Sequence, residues 1–337
     1  MNRPMRRLVV CSAAFLAAFA VLVPGGSSTP ATSSLLLGIK GDAGRFQGQT
    51  GQQSAIRHTF ISWDQGRTFG KRIPVLLASL QPIPMVHIGT GGPRGASEAI
   101  KPLQIANGMG DAFLIALNEG IAVHEGRVYL RLMSEMNHFK WFHAAYREDG
   151  SSKGPQYAPA AYRKAFARMY VILHGGTRTA IDAVLRRLGL PGLVGGDTDL
   201  AVNPPTKLRI IWNPLGGGGP DIAANAATRF YPGDRYVDVV GNDMYTSNGV
   251  YSAQKNEALY AFARAHGKPF ALPEFGLNGG DFPDFIRYVC RFIRGHARIE
   301  LAAYYEAKGG SSYDLATKPR SAQAYRQCLT PLERRVS

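Results

Sequence analysis

Eight short apolar segments, spaced along most of the chain, are the feature that most constrains its fold. Each segment is rich in β-branched or other apolar residues, as is typical of buried parallel strands. We therefore predict eight strands, which are Leu35–Ile39, Thr59–Trp63, Ile83–Ile88, Val128–Met133, Leu208–Trp212, Val237–Val240, Phe270–Leu272 and Leu301–Tyr305.

Helical patterns lie between several of these strands. Pro159 and Pro283 can each begin a helix, and the apolar residues that follow them recur with helical spacing. Similar patterns predict helices over Ala112–Val123, Ala180–Leu188 and Asn256–Ala265.

The alternation of strands and helices predicts an α/β fold, a single (β/α)₈ TIM barrel with its active site at the C-terminal ends of the strands. A doubly wound sheet is the competing fold, but no G-x-G-x-x-G follows the first predicted strand. The 337 residues could form two domains, although single barrels also reach this length. We assign residues 35–337 to one barrel domain.

Residues 1–34 have the pattern of an export signal followed by a short linker. Three arginines precede an uncharged apolar stretch, Leu8–Val23, and a run of Ser, Thr, Pro and Ala follows it. The apolar stretch is shorter than the ~20 residues that usually span a membrane. We expect a secreted, monomeric protein; an uncleaved anchor that holds the protein at the cell envelope is the alternative.

Cysteine usage agrees with export. Cys11 lies in the apolar signal stretch, which leaves Cys290 and Cys328. In an oxidising compartment we expect these two to form one disulfide, with two buried free thiols as the alternative. No C-x-x-C or H-E-x-x-H motif occurs, and we expect neither a metal nor a cofactor.

The chain is strongly basic. Its 39 Lys and Arg residues exceed its 24 Asp and Glu residues, which gives a formal net charge of +15. Such an excess favours an acidic partner or surface. No nucleic-acid recognition motif accompanies it, so we do not expect nucleic acid to be a partner.

Two glutamates stand out because each follows a predicted strand directly, among apolar neighbours. Glu135 ends the fourth strand and Glu274 the seventh. These strands face each other across an eight-stranded barrel, and burying a carboxyl group is costly unless it has a purpose. Paired carboxyl groups about 5–5.5 Å apart cleave glycosidic bonds in retaining enzymes. Structural ion pairs are the alternative interpretation.

Four sequence blocks resemble glycoside hydrolase family 26, the β-mannanase family. They are RLMSEMN, which is followed by Trp-Phe, then LRIIWNP, FYPGDRYVDVVGNDMY and KPFALPEFG. They occur in the family's order, and the resemblance extends over roughly residues 35–310. The family is a retaining (β/α)₈ group whose acid/base and nucleophile end the fourth and seventh strands.

The resemblance implies roles for individual residues. Glu135 matches the acid/base, Glu274 the nucleophile, and Tyr245 the tyrosine that hydrogen-bonds the nucleophile. Arg131 matches the arginine four residues before the acid/base, and Asn137 lies two residues after it.

Aromatic residues and two departures from the family pattern bear on the substrate. Trp141 and Trp212 are candidate sugar platforms, although Trp212 could equally be a core residue. Ser134 replaces the family's histidine before the acid/base, and Tyr304 and Tyr305 stand where the family has tryptophan. The predicted substrate contacts are Arg131, Ser134, Asn137, Trp141, Trp212, Tyr245 and Tyr305.

These observations predict a secreted retaining endo-glycosidase that acts on a β-linked polysaccharide, with β-mannan as the first candidate. Because of the two departures, xylan, β-glucan or an exopolysaccharide are alternative polymers. A carbohydrate-binding protein that has lost turnover on the same barrel is the alternative of a different class.

Overall fold

Parallel strands close into a barrel in the computed structural model of the protein, which describes residues 35–246 and 252–333. The strands in these residues are β1 (Leu36–Lys40), β2 (Ile56–Ile61), β3 (Ile83–Ile88), β4 (Val128–Leu132), β5 (Leu208–Trp212), β6 (Val239–Gly241), β7 (Met244–Tyr245), β8 (Phe270–Gly276) and β9 (Ile299–Tyr305). Each strand pairs in parallel with its neighbours in the order β6-β5-β4-β3-β2-β1-β9-β8-β7, and a further pairing of β6 with β8 closes the barrel.

The predicted (β/α)₈ barrel is confirmed, because β6 and β7 share one of its eight positions. Both pair with β8, and they are separated by only two residues. The interruption lies opposite Pro273, which has no N–H to donate to the sheet, and the pairing register of β8 shifts there. The predicted export signal, residues 1–34, lies outside the described residues and stays a prediction.

Helices connect most of the strands and cover the barrel. Those in the described part of the chain are α1 (Ala43–Thr50), α2 (Ile73–Ala78), α3 (Pro102–Ala106), α4 (Asp111–Ala122), α5 (Pro159–His174), α6 (Arg178–Arg187), α7 (Ala253–Ala265), α8 (Pro283–Gly295) and α9 (Pro319–Cys328). The helices predicted after Pro159 and Pro283 begin at those residues. None of the helices in the described ranges is both long enough and apolar enough to cross a membrane.

The alternation of side chains along β4 places a charged group inside the barrel. Val128, Leu130 and Leu132 belong to the large apolar core that includes helix residues, whereas Tyr129 belongs to a separate cluster drawn from the strands. Because successive side chains of a strand point to opposite faces, Arg131 points the same way as Tyr129. The barrel interior therefore holds an arginine one residue before the end of the fourth strand.

The predicted disulfide joins the last two helices. Cys290 in α8 is bonded to Cys328 in α9, with their Cα atoms 6.0 Å apart. The structure contains this disulfide and not the alternative of two free thiols. The bond closes a loop with a sequence separation of 38 residues.

Removing this bond should destabilise the fold by about 4 kcal/mol, because closing a loop of this length restricts the unfolded chain. In a Cys11→Ser background, urea unfolding should show that loss for Cys290→Ala/Cys328→Ala. The parent protein, unfolded without reductant, should have no thiol that reacts with a thiol reagent. Two reactive thiols under those conditions would disprove the bond in solution.

Candidate active site

Glu135 and Glu274 both lie at the C-terminal end of the barrel and line one cleft. Glu135 follows β4, and Glu274 lies near the end of β8. The cleft has two lobes, a first of about 440 Å³ and a second of about 960 Å³. Glu135 lines both lobes, together with Lys140, Trp141, Tyr245 and Tyr313.

Two donors fix the carboxylate of Glu274. The Arg131 guanidinium donates from Nη1 to Oε1, and the hydroxyl of Tyr245 donates to Oε2. The side chain is 8% exposed, and it lines the second lobe. One arginine and one tyrosine thus set the plane of the carboxylate while it still reaches the cleft. This places Tyr245 where the family resemblance predicts it.

Arg131 is wholly buried and is satisfied by several partners. It donates from Nε to Asn213 Oδ1 at 3.0 Å and from Nη2 to Asp243, and its Nη1 lies 3.2 Å from His58 Nε2. Burial lowers the pKa of Arg131, but Asp243 and Glu274 raise it by more, so the side chain is charged. The predicted contact of Arg131 with substrate is wrong, because the side chain has no exposed surface. It positions Glu274 instead.

Asp243 is a site residue that was not among those predicted. Burial raises the pKa of Asp243 well above its ordinary value, and although Arg131 opposes the shift, Glu274 and Glu135 add to it. Its Oδ1 atom is buried, and no group in the described part of the chain donates to it; its carboxyl group lies within hydrogen-bonding reach of Glu135. A proton on either carboxyl group would form a hydrogen bond between Asp243 and Glu135. The sequence feature that could have identified Asp243 as a site residue is its position after the sixth predicted strand, two residues before Tyr245.

Glu135 sits on a constrained turn. Its φ angle of 54° and that of Met133, 46°, lie in the left-handed region that residues other than glycine rarely adopt. The Glu135 N–H donates to the carbonyl of Asn213 at 2.7 Å, and Trp141 Nε1 donates to Oε2 at 2.7 Å. These contacts aim the carboxyl group into the cleft.

The pKa of Glu135 is raised above its ordinary value. Burial is the largest cause and the negative charge of Glu274 adds to it, while Trp141, Arg131 and Asp243 oppose the shift. A raised pKa keeps a carboxyl group protonated toward neutral pH, as a general acid requires. The two glutamates therefore have different surroundings although they share one cleft.

Histidines behind Trp141 hold its ring in the cleft wall. The His143 ring is nearly parallel to the Trp141 ring with centroids 6.1 Å apart, and the His87 ring lies 5.7 Å from it. Burial lowers the pKa of His143 to about 4 and that of His87 well below its ordinary value, so both rings are neutral. The predicted position of Trp141 in the cleft is consistent with a sugar platform.

Ser134 does not face the cleft. It is 2% exposed, and its hydroxyl lies 2.6 Å from His87 Nδ1. Its carbonyl oxygen lies 3.0 Å from His143 Nε2. The predicted sugar contact of Ser134 is therefore wrong, because the buried hydroxyl is used to orient the histidine beneath Trp141.

Two further predicted contacts are also corrected. Trp212 is wholly buried, with its ring 4.9 Å from the Tyr231 ring and 5.7 Å from the Phe262 ring, so the core alternative is right. Asn137 is also wholly buried, and its side chain bonds the backbone N–H and C=O of Leu215, both at 2.9 Å. It therefore shapes the loop that lines the first lobe.

Tyr305 lines the second lobe, as predicted for a substrate contact, together with residues that were not predicted. Among these are Phe60 of β2 and Tyr313, whose ring centroid lies 5.0 Å from that of Tyr305. Tyr313 follows the last strand in a loop without periodicity, so no sequence pattern pointed to it. In the described part of the chain, no three His, Cys, Asp or Glu residues are placed to hold a metal ion.

The barrel and its paired glutamates define the site of a glycoside hydrolase. The model of glycosyl hydrolase family 26 matches residues 217–310, which include β7, β8 and Glu274, and this confirms the resemblance seen in the sequence. The match and the structural neighbours support a glycoside hydrolase. No curated protein matches the sequence.

Similar solved structures share the fold at low sequence identity. The Bacillus subtilis mannanase BCman is 20% identical, with a TM-score of 0.55 over 87% of this chain and 85% of that chain. GH26A from Muricauda sp. MAR_2010_75 is 17% identical, with a TM-score of 0.52 over 87% and 89%. The β-mannanase BoMan26A from Bacteroides ovatus is 15% identical, with a TM-score of 0.51 over 88% and 85%.

Arg131→Met should lower the free energy of unfolding by about 3–5 kcal/mol at pH 7, because it leaves the carboxylates of Asp243 and Glu274 buried without their cation. Without the cation the pKa of Asp243 rises further above its ordinary value, so the loss should shrink as the pH falls and Asp243 becomes protonated. Arg131→Lys, which keeps the charge, should lose less. Urea unfolding at pH 7 and pH 4 measures both; an Arg131→Met protein as stable as the wild type at pH 7 would contradict this account.

Proposed function

We propose that the protein is a retaining endo-glycosidase that hydrolyses a β-linked polysaccharide by double displacement. Glu135 is the acid/base and Glu274 the nucleophile. The proposal is carried by the contrast between the two carboxyl groups. Glu274 accepts hydrogen bonds at both oxygens, whereas the pKa of Glu135 is raised by burial and by Glu274.

In the first step Glu274 attacks the anomeric carbon, and the glycosidic bond breaks with its electron pair on the oxygen. Glu135 gives its proton to that oxygen, and the shortened polymer leaves. Glu274 is now an ester and has lost its negative charge. Since that charge raises the pKa of Glu135, the pKa falls at this stage, which suits Glu135 to act as a base.

In the second step Glu135 removes a proton from water, and the water oxygen attacks the anomeric carbon from the face that the leaving group left. The bond to Glu274 breaks, which restores its carboxylate and releases a product with retained configuration. Arg131 and Tyr245 stabilise the departing carboxylate throughout.

Several observations support the finer parts of the proposal. The cleft extends to both sides of Glu135, which suits cleavage within a chain. Two of the similar structures carry the name mannanase, so β-mannan is the first substrate to test. The signal pattern of residues 1–34 supports export. The alternative of a binding protein without turnover is not favoured, because both glutamates and the Tyr245 contact are intact.

Replacing each glutamate should have a different effect. Glu274→Ala should abolish turnover of every substrate, because no covalent intermediate can form. Glu135→Ala should lose least activity on aryl glycosides with good leaving groups, which need little protonation, and azide should restore its turnover. Kinetics on a matched pair of good and poor leaving groups test this. The glycosyl azide from Glu135→Ala should have retained configuration, and formation of that retained azide by Glu274→Ala instead would reverse the two roles.

The Trp141 contact predicts a shift in pH dependence. Its hydrogen bond lowers the pKa of Glu135, so Trp141→Phe should raise that pKa and move the basic limb of the kcat/KM profile to higher pH. Tyr305→Phe, which changes another aromatic residue of the cleft without removing a hydrogen bond to Glu135, serves as the matched control, and its basic limb should not move. A basic limb that stays in place or moves to lower pH in Trp141→Phe would contradict the assignment of Glu135 as the acid.

A further inference from the structure

We infer that the cleft selects an anionic polymer, a β-linked polysaccharide that carries negative groups on its sugar units. This inference rests on the proposed function and names its substrate class. The acidic residues that line the two lobes are Glu135, Glu274 and Asp243, and the basic residues, leaving histidine aside, are Arg94, Lys140 and Lys255. The acidic groups are the catalytic pair and the buried partner of Arg131. The charges left to meet a ligand are cations.

Lys140 occupies the centre of the cleft. It lines both lobes, it is exposed, and it precedes Trp141, which holds Glu135. Within the described residues it has no carboxylate as an ion-pair partner. An ammonium group at this position faces the sugars next to the bond that is cleaved. A neutral polymer would leave its charge unused.

Arg94 supplies a second cation in the second lobe. It is exposed on the turn Pro93–Gly95, with a φ angle of 59°, and no carboxylate pairs with it in the described ranges. A guanidinium can bind a carboxylate through two parallel hydrogen bonds. The left-handed conformation of Arg94, which residues other than glycine rarely adopt, places its guanidinium at the edge of the second lobe.

Lys255 supplies the cation of the first lobe, at the beginning of α7. Its Nζ lies 2.6 Å from Asp221 Oδ2, but the Asp221 side chain is 69% exposed. Ion pairs at such exposed positions contribute little, so a carboxylate of the substrate can replace Asp221. Cations therefore line the centre and both lobes of the cleft, so a polymer that occupies it meets a positive charge in each part.

The charge of the whole chain acts in the same direction. Without the three arginines of the predicted export signal, the net charge of +15 falls to +12 (15 − 3), which still attracts a polyanion at long range and increases its rate of encounter with the cleft. The negative groups could be uronate carboxylates of the sugars themselves or acidic substituents on a neutral backbone. Both place an anion on the sugar unit, and the experiment below distinguishes uronate carboxylates from acidic substituents.

The test compares neutral, uronate and carboxymethylated forms of the same β-1,4-linked backbone, for mannan and for glucan. At low salt, kcat/KM for one acidic form should exceed that for the neutral form by about tenfold or more. This preference should fall as sodium chloride is raised to about 300 mM, since salt screens the attraction. Which acidic form is preferred identifies the source of the charge.

Variants assign the preference to the cleft. Arg94→Gln and Lys140→Gln should each lower the ratio of acidic to neutral kcat/KM by about tenfold. Lys164→Gln removes an exposed lysine from α5, away from the cleft, and should leave the ratio unchanged. An equal loss in all three variants would mean that only the overall charge matters, and it would overturn the inference.

Two outcomes separate this inference from the proposed function. Cleavage of the neutral forms with equal or greater kcat/KM at every salt concentration would overturn the inference and leave the glycosidase standing. Cleavage of none of the polymers would count against the proposed function. Calorimetry of the wild type with acidic and neutral oligosaccharides would then decide the inference, since tighter binding of the acidic form supports it and equal or absent binding overturns it.

Discussion

The buried charge of Arg131 is the interaction on which the site depends. It stands inside the barrel because it alternates with core residues along β4, and it neutralises Asp243 and Glu274 there. Burying any one of these three groups alone would be costly, and each is tolerable because the others are present. The same contacts that satisfy the arginine also orient the carboxylate of Glu274. Stability and catalytic geometry are thus set by one cluster.

Around this cluster the chain gives its two cleft glutamates different surroundings. Glu274 lies in a regular strand and is held by donors from β4 and β7. Glu135 lies on a left-handed turn, half-buried, where burial and the charge of Glu274 favour its protonated form. The histidines behind Trp141 support one of the groups that oppose this shift. Their contacts with Ser134 and Thr90 explain how serine is accommodated where the related family has histidine.

The sequence predicted the barrel and the two glutamates because both depend on local patterns. Apolar segments marked the strands, and the position of each glutamate at a strand end followed from them. Trp212 could have been recognised as core, since it falls on the same face of β5 as Leu208 and Ile210. The partners of Asn137 and Ser134 could not be predicted, because they come from loops and strands distant in the sequence. Burial of a polar side chain at a strand end is decided by such partners, and they are visible only in three dimensions.

The central claim, that Glu274 forms a covalent bond with the sugar, can be tested directly by trapping. A 2-deoxy-2-fluoro glycoside with a good leaving group slows both steps but spares formation of the intermediate, so the glycosyl-enzyme accumulates. Mass spectrometry of the digested protein should find one added sugar, located on the peptide that carries Glu274, and none on the Glu274→Ala variant. A label on Glu135, or turnover of substrate with inversion and no label at all, would contradict the account.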